Sequence, residues 1–414
     1  MSQKDKSIGE NIIWNTVGLL VLMICQWLIT VFTVKIGGYE MGGYLTVAMT
    51  ISILYYTFAC FTTRSFQVTD MNGKYSDSTY LVSRILTSAI GWIILPFILL
   101  SGKYSLQQNI CIIIFIAIKL VEAMIDVMHG VDQKANRMDI IGISSLLRGL
   151  FSLGIFLLMF KISLNLALSL FGMLAVTIIV GITYDYRKFK LFFKGQMICE
   201  KEKIKNLLVE SFPLFMVTFL STLVPSIPKL FLEAMNSSEE LGIYTAIAAP
   251  ALIVQAAANF IFVPFLGSFA YAYHQKDDKS FKKLFGICCA ILIGISIITI
   301  NGAKLLGDFG LEILYGEYIL EYSYLLIPTI ITTILTAFTY LLFAILTVIR
   351  DFKSQVIANV ITVVLCLIGS NYFIRSKSIV GVNIALLIAL GFEVAFLLLI
   401  IIKMFKRLTI KDQF

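Results

Sequence analysis

Apolar residues in this chain gather into long runs parted by short polar breaks. The pattern shows neither the alternation of a half-buried strand nor the narrow stripe of a soluble amphipathic helix. Twelve runs stand out, at 12–36, 44–66, 83–101, 107–128, 140–160, 165–184, 207–232, 243–270, 285–303, 319–349, 355–373 and 381–402. A helix needs roughly 20 residues to cross about 30 Å of hydrocarbon, so each run predicts one membrane span. The 319–349 run is long enough to tilt or to extend past the bilayer, while Asn301, Gly302 and Lys304 cut 285–303 short. The first run follows Lys4, Asp5, Lys6 and Glu10. It is too long for the apolar core of a cleaved leader and reads as a retained span.

The polar breaks orient the spans. With a cytoplasmic N-terminus, the inner breaks hold 24 Lys and Arg, and the outer ones hold six: Lys35, Lys103, Lys161, Lys304, Arg375 and Lys377. Basic residues accumulate on the cytoplasmic side of a membrane, so both termini read as cytoplasmic. The longest break has six spans on either side. The expected organisation is an N-terminal six-helix lobe at 1–184, a cytoplasmic basic linker at 185–206 and a C-terminal six-helix lobe at 207–414. Paired halves are frequent among secondary transporters. In the linker, Lys188, Phe189, Lys190, Phe192, Phe193 and Lys194 alternate cations with rings, which suits a helix lying on the anionic inner leaflet.

Composition narrows the function classes. Of the 414 residues, 59% are apolar and 14% charged, too few polar groups to clothe a water-soluble protein of this size. Soluble enzyme, disordered tail and nucleic-acid binder are excluded. The net charge of +8 is spread in short clusters along the chain rather than gathered on a DNA-facing stripe. The seven cysteines make neither a disulfide framework nor a metal pattern. No cofactor or metal is expected. No phosphate-binding GxxxxGK[ST] loop occurs, and no long outer loop is available to carry catalysis, so an enzyme is not expected.

Charge at bilayer depth is costly and usually faces a cavity or a partner. Lys119, Glu122 and Asp126 share one face of span four, at spacings of three and four. Arg148 on span five lies at a similar depth to Glu122. The two are either a structural pair or the charged wall of a central cavity. Lys229 follows Pro225 and Pro228, which should bend span seven. It either snorkels to the outer headgroups or presents a cation inside a cavity. Gln255 and Asn259, four apart in span eight, are interhelical glue or cargo contacts. Glu393 is the one acid deep in span twelve, and it is either a structural partner or a group that couples transport to a proton or sodium gradient.

Four stretches carry a likeness to a known family: GGYEMGGYLTVA at 37–48, TRSFQVTD at 63–70 with Arg64, Gln67 and Asp70, HGVDQKANRMDIIGISSLLR at 129–148 with Gln133, Arg137, Asp139 and Gly142, and IPKLFLEAMNSSEELGIYTAIAAP at 227–250 with Gly242 and Tyr244. With the twelve-span layout they resemble the polysaccharide transporters, the bacterial O-antigen and capsule repeat-unit flippases of the multidrug/oligosaccharidyl-lipid/polysaccharide exporter superfamily. Where family members often show Asp-Arg, this chain has Pro228-Lys229, which keeps the cation and loses the acid. The resemblance implies a V-shaped all-α membrane protein of two six-helix lobes around a central cavity. It implies export of a lipid-linked oligosaccharide across the cytoplasmic membrane by alternating access, alongside other polysaccharide assembly proteins. Arg64, Lys119, Arg148 and Lys229 would then serve a diphosphate. A multidrug extruder of the same superfamily is the runner-up, favouring acids in its cavity, and a membrane-embedded polymerase is a third class.

Overall fold

The computed structural model describes residues 8–70, 72–102, 104–193, 200–262 and 265–411. Side chains are described throughout these segments except at 8, 97, 98, 100, 101, 251–262 and 406–411. Every regular element among them is helical: α1 Ile8–Cys60, α2 Thr63–Thr69, α3 Asp77–Ser101, α4 Leu106–Lys134, α5 Met138–Ser163, α6 Leu166–Val180, α7 Tyr186–Phe192, α8 Lys201–Met235, α9 Ser238–Phe262, α10 Phe265–His274, α11 Asp278–Tyr315, α12 Leu326–Val348, α13 Phe352–Lys377 and α14 Ile379–Lys411. A π-helical turn, Gly181–Asp185, precedes α7 and a 3₁₀ segment, Glu317–Leu325, precedes α12. Helices suit a chain this apolar, because hydrocarbon offers no partner to an open backbone N–H or C=O. Nine helices among the described residues are long and apolar enough to cross a membrane. The protein is a multi-pass membrane protein.

Several expected boundaries shift. The first two runs form the single 53-residue α1, interrupted at Gly38, whose φ of 83° only glycine adopts without strain. The run at 44–66 does not hold as one span. The helix stops at Cys60, Phe61 and Thr62 turn left-handed, and Thr63–Thr69 restarts as the short α2. Residues 186–192 continue from the sixth run as α7, with Phe189 buried and α7 packed on α4. Residues 194–199 of the expected linker lie outside the described residues. In α8 the helix runs unbroken through Pro225 and Pro228, so Lys229 is carried on a continuous helix and not at a break.

One turn recurs at three helix junctions. Asn136, Lys276 and Arg350 are left-handed, and in each case the next N–H reaches back five residues, from Arg137 to Asp132 O, Asp277 to Ala272 O and Asp351 to Leu346 O, at 2.9 Å. This is the closure that ends a helix by satisfying its last carbonyls. Asp277 and Asp351 then cap the following helix by accepting from the N–H of Ser280 and Ser354.

Internal contacts divide the chain into two compact units, Met1–Thr222 and Leu223–Phe414, with the division inside α8. In the first, α1 packs chiefly on α5 and α4. A Cβ on Gly18 would collide with the Gly142 carbonyl, and one on Gly142 with the Trp14 carbonyl. The two backbones touch directly, as small residues permit in membranes. In the second unit, α14 packs on α13 and α12. Phe269, Phe281, Leu341, Leu342 and Leu397 form its apolar core. Elsewhere in the unit Asn383 accepts from Tyr244 Oη at 3.2 Å and donates to Thr329 Oγ1 at 3.1 Å.

Candidate functional site: a charged cavity in the first unit

Asp126 on α4 is the hub of the first unit's buried charges. Arg84 Nη2 lies 3.0 Å from Asp126 Oδ2 and Arg64 Nη1 2.7 Å from Oδ1. The Arg84 side chain has no exposure. It also donates to Thr63 Oγ1 and to the Ala123 carbonyl, both at 3.2 Å, and meets Cys60 Sγ at 2.7 Å. Arg64 donates its other arm to Gln133 Oε1 at 3.0 Å. One face of α4 thus binds α2 and α3 through a single carboxylate. A turn earlier on α4, Lys119 Nζ sits 2.7 Å from Glu122 Oε2.

A cavity of about 150 Å³ opens beside this network, lined by Arg64, Glu122, Asp126, Arg148, His129 and Ser145, with Gln26, Tyr56 and apolar side chains completing the wall. Arg148 is buried, yet its nearest acid oxygen, Glu122 Oε1, is 3.9 Å away and its Nε has no hydrogen-bond partner. Glu122 is already held by Lys119, and Asp126 by two arginines. Four cations therefore surround two carboxylates, and Arg148 keeps donating capacity toward the cavity. A guanidinium so placed suits a planar or forked anion such as a phosphate.

The structure places the other candidates elsewhere. Lys229 on α8 is half-buried and makes no hydrogen bond or ion pair among the described residues. Glu393 on α14 is 2% exposed, its Oε1 has no partner, and it faces Thr339 and Thr362. Both lie in the second unit. The side chains of Gln255 and Asn259 lie outside the described ones. The motif residues mostly brace the scaffold. Gln67 is buried, donates to the Val127 carbonyl at 3.2 Å, and packs so closely on Gly130 that a Cβ there would strike its amide oxygen. Asp70 accepts from the Lys74 and Tyr75 N–H groups, each at 2.8 Å. Although partial burial raises the Asp70 carboxyl, these two bonds and the Lys134 charge outweigh it and hold it below its ordinary value. Arg137 forks onto Asp139 at 2.8 and 3.0 Å. Gly242 and Tyr244 are buried in α9.

Sequence reasoning missed two features. Arg84 read as a loop cation because α3 begins six residues earlier than its apolar run suggests. Its signal was the helical start at Asp77, which puts Arg84 two turns inside. The second is the buried pair of His129 Nε2 and Asp185 Oδ1, 2.9 Å apart, near Asp132, neither of whose oxygens has a partner. These groups come from α4 and the π-turn, which nothing local connects.

Residues 8–269 match the family described as "Polysaccharide biosynthesis protein". The chain belongs to the polysaccharide biosynthesis protein family. A curated relative, the capsular polysaccharide biosynthesis protein CapF of Staphylococcus aureus, is 27% identical over 325 residues, covering 77% of this chain and 80% of CapF. The fold is shared with the lipid II flippase MurJ in an inward closed conformation, with a TM-score of 0.76 at 15% identity, covering 96% of this chain and 90% of MurJ. It is shared too with an inward-facing MATE family multidrug transporter of the MOP superfamily, with a TM-score of 0.71 at 14% identity, covering 96% and 99%. The resemblance drawn from the four sequence stretches is the family to which this member belongs.

Proposed function

We propose that the protein is a flippase of the bacterial cytoplasmic membrane. It turns undecaprenyl-diphosphate-linked oligosaccharide repeat units from the inner to the outer leaflet, supplying a surface polysaccharide, by alternating access of two six-helix lobes and not by catalysis. The observation that carries this reading is Arg148: a buried guanidinium facing a cavity, with its nearest carboxylate engaged by another cation. Membership of a polysaccharide biosynthesis family supports a sugar-bearing cargo, and a diphosphate is the anionic part of that cargo that hydrocarbon rejects. Lys229 and Arg64 add cations for the same group, and Gln255 and Asn259 are assigned to cargo contact. Glu393 is assigned to coupling with a proton or sodium gradient, because a deep, incompletely bonded carboxylate is the chemistry such coupling uses. Other polysaccharide assembly proteins are the expected partners.

The membrane topology follows the same reading. The second leg of α1, with α4 and α9, brings the nine apolar helices to twelve, with both termini cytoplasmic. Single cysteines at Ser105 and Ser237, in a chain freed of its native ones, should react with an impermeant thiol reagent in intact cells, and one at Ser280 should not. Purified protein in liposomes should move an undecaprenyl-diphosphate oligosaccharide between leaflets without ATP, read by exposure of the sugar to an enzyme confined outside. If that cargo stays in place while a small organic cation is carried against a gradient, the flippase reading is overturned in favour of a multidrug extruder.

A further inference from the structure

A groove in the first unit shares no lining residue with the charged cavity. It has a volume of about 670 Å³ and is lined by Phe61 of the α1–α2 turn, Val82 and Leu86 of α3, and one face of α8. That face carries Ile204, Leu208 and Phe212, with Lys201 and Lys205 at its start. Positions 201, 205, 208 and 212 recur at helical spacing, so two cations and the apolar residues that follow them form one stripe about 16 Å long. Exposed apolar side chains floor and rim it, Leu86 at 44% and Phe212 at 50%.

The cations of this region divide by face. Lys203, on the far side of α8, is 2.9 Å from Glu200, and Lys74 is 2.6 Å from Glu210. Lys201 and Lys205, which line the groove, have no ion-pair partner among the described residues. The lysines bordering the groove are thus the ones left with charge to offer. The end that carries them is the one that the distribution of basic residues assigns to the cytoplasm.

We propose that this groove binds an anionic phospholipid of the inner leaflet, with its phosphate between Lys201 and Lys205 and an acyl chain along Leu208, Phe212, Leu86 and Phe61. Charge complementarity and the order of the stripe, cations first and apolar residues deeper, match a lipid entering from the headgroup side. Two flexible ammonium groups suit a singly charged headgroup at the water boundary. The arginine forks that suit a diphosphate lie in the charged cavity.

The test is native mass spectrometry of the purified full-length chain titrated with phosphatidylglycerol against phosphatidylcholine. Wild type should retain phosphatidylglycerol preferentially. The K201Q/K205Q double variant should bind it about 25-fold more weakly, roughly fivefold per lysine, while K203Q/K282Q, with the same change in net charge, should bind as wild type does. Leu86→Trp, which fills the groove and keeps both lysines, should lose the lipid as well. Equal retention of the two lipids by wild type, or equal loss in both double variants, overturns the site. Displacement of phosphatidylglycerol by an equimolar amount of undecaprenyl diphosphate overturns the assignment to phospholipid and gives the groove to the cargo.

Discussion

In the first unit Arg64, Arg84, Lys119, Glu122 and Asp126 share contacts within 3.0 Å, whereas in the second unit Lys229 and Glu393 have no ion pair among the described residues. A charge held by several partners braces the fold whatever else it does, because removing one member leaves the others buried and unmatched. A charge held by none contributes little to its neighbours, and its presence at depth points to work on something that moves through. Arg148 belongs with the second kind although it lies in the first unit.

The largest effect should come from the scaffold. Arg84→Met leaves Asp126 with one arginine and takes a donor from Cys60, Thr63 and the Ala123 carbonyl, so a loss of about 3–5 kcal/mol is expected. Thermal unfolding in detergent measures it, and an unchanged Tm would remove Asp126 as hub. Arg148→Met is the counterpart. Stability should hold within about 1 kcal/mol, since no partner lies within hydrogen-bond reach of Nη1 at the acid. Binding of undecaprenyl diphosphate should fall by about 1.5–3 kcal/mol, the worth of a charge-assisted hydrogen bond. If Arg148→Met unfolds the protein as badly as Arg84→Met, the division between scaffold and working charges fails.

How far these roles could be read in advance differs by kind. The apolar runs were legible because a bilayer demands length and hydrophobicity from each span independently. The face holding Lys119, Glu122 and Asp126 was legible because helical spacing is local. Arg84 was not, since its partners arrive from Cys60, Thr63, Ala123 and Asp126 on three other helices. Nor was the link from Tyr244 to Asn383, two residues 139 apart in the chain. The turn at Phe61 and Thr62 went unread because neither residue is a glycine, asparagine or aspartate, the usual marks of a left-handed turn.

Smaller effects sharpen the same contrast. Asp70→Asn turns one of the two oxygens that accept backbone bonds into a donor and should cost about 1 kcal/mol. The folded Asp70 carboxyl titrates below its unfolded value, so its contribution is present above the ordinary carboxylate range. It is lost as pH falls through the folded value. Acid unfolding of wild type and Asp70→Asn should therefore converge at low pH, and parallel curves would exclude Asp70 as a source of that slope. Glu393→Gln should change stability least, by under about 1 kcal/mol, as nothing ionic depends on it. In liposomes it should abolish any dependence of transport on an imposed ion gradient. Retained gradient dependence would move coupling to another group.

The contact of Gly18 with Gly142 makes α1 and α5 a joint without play. With no side chain between the backbones, neither helix has anything compressible to yield when the other shifts, and they travel as one lever. Arg148 lies six residues along α5 from that joint, about 9 Å. It is therefore geared to the N-terminal helix. Whatever tilts α1 swings the guanidinium through the cavity, and an anion gripped by Arg148 pulls on α1 in return.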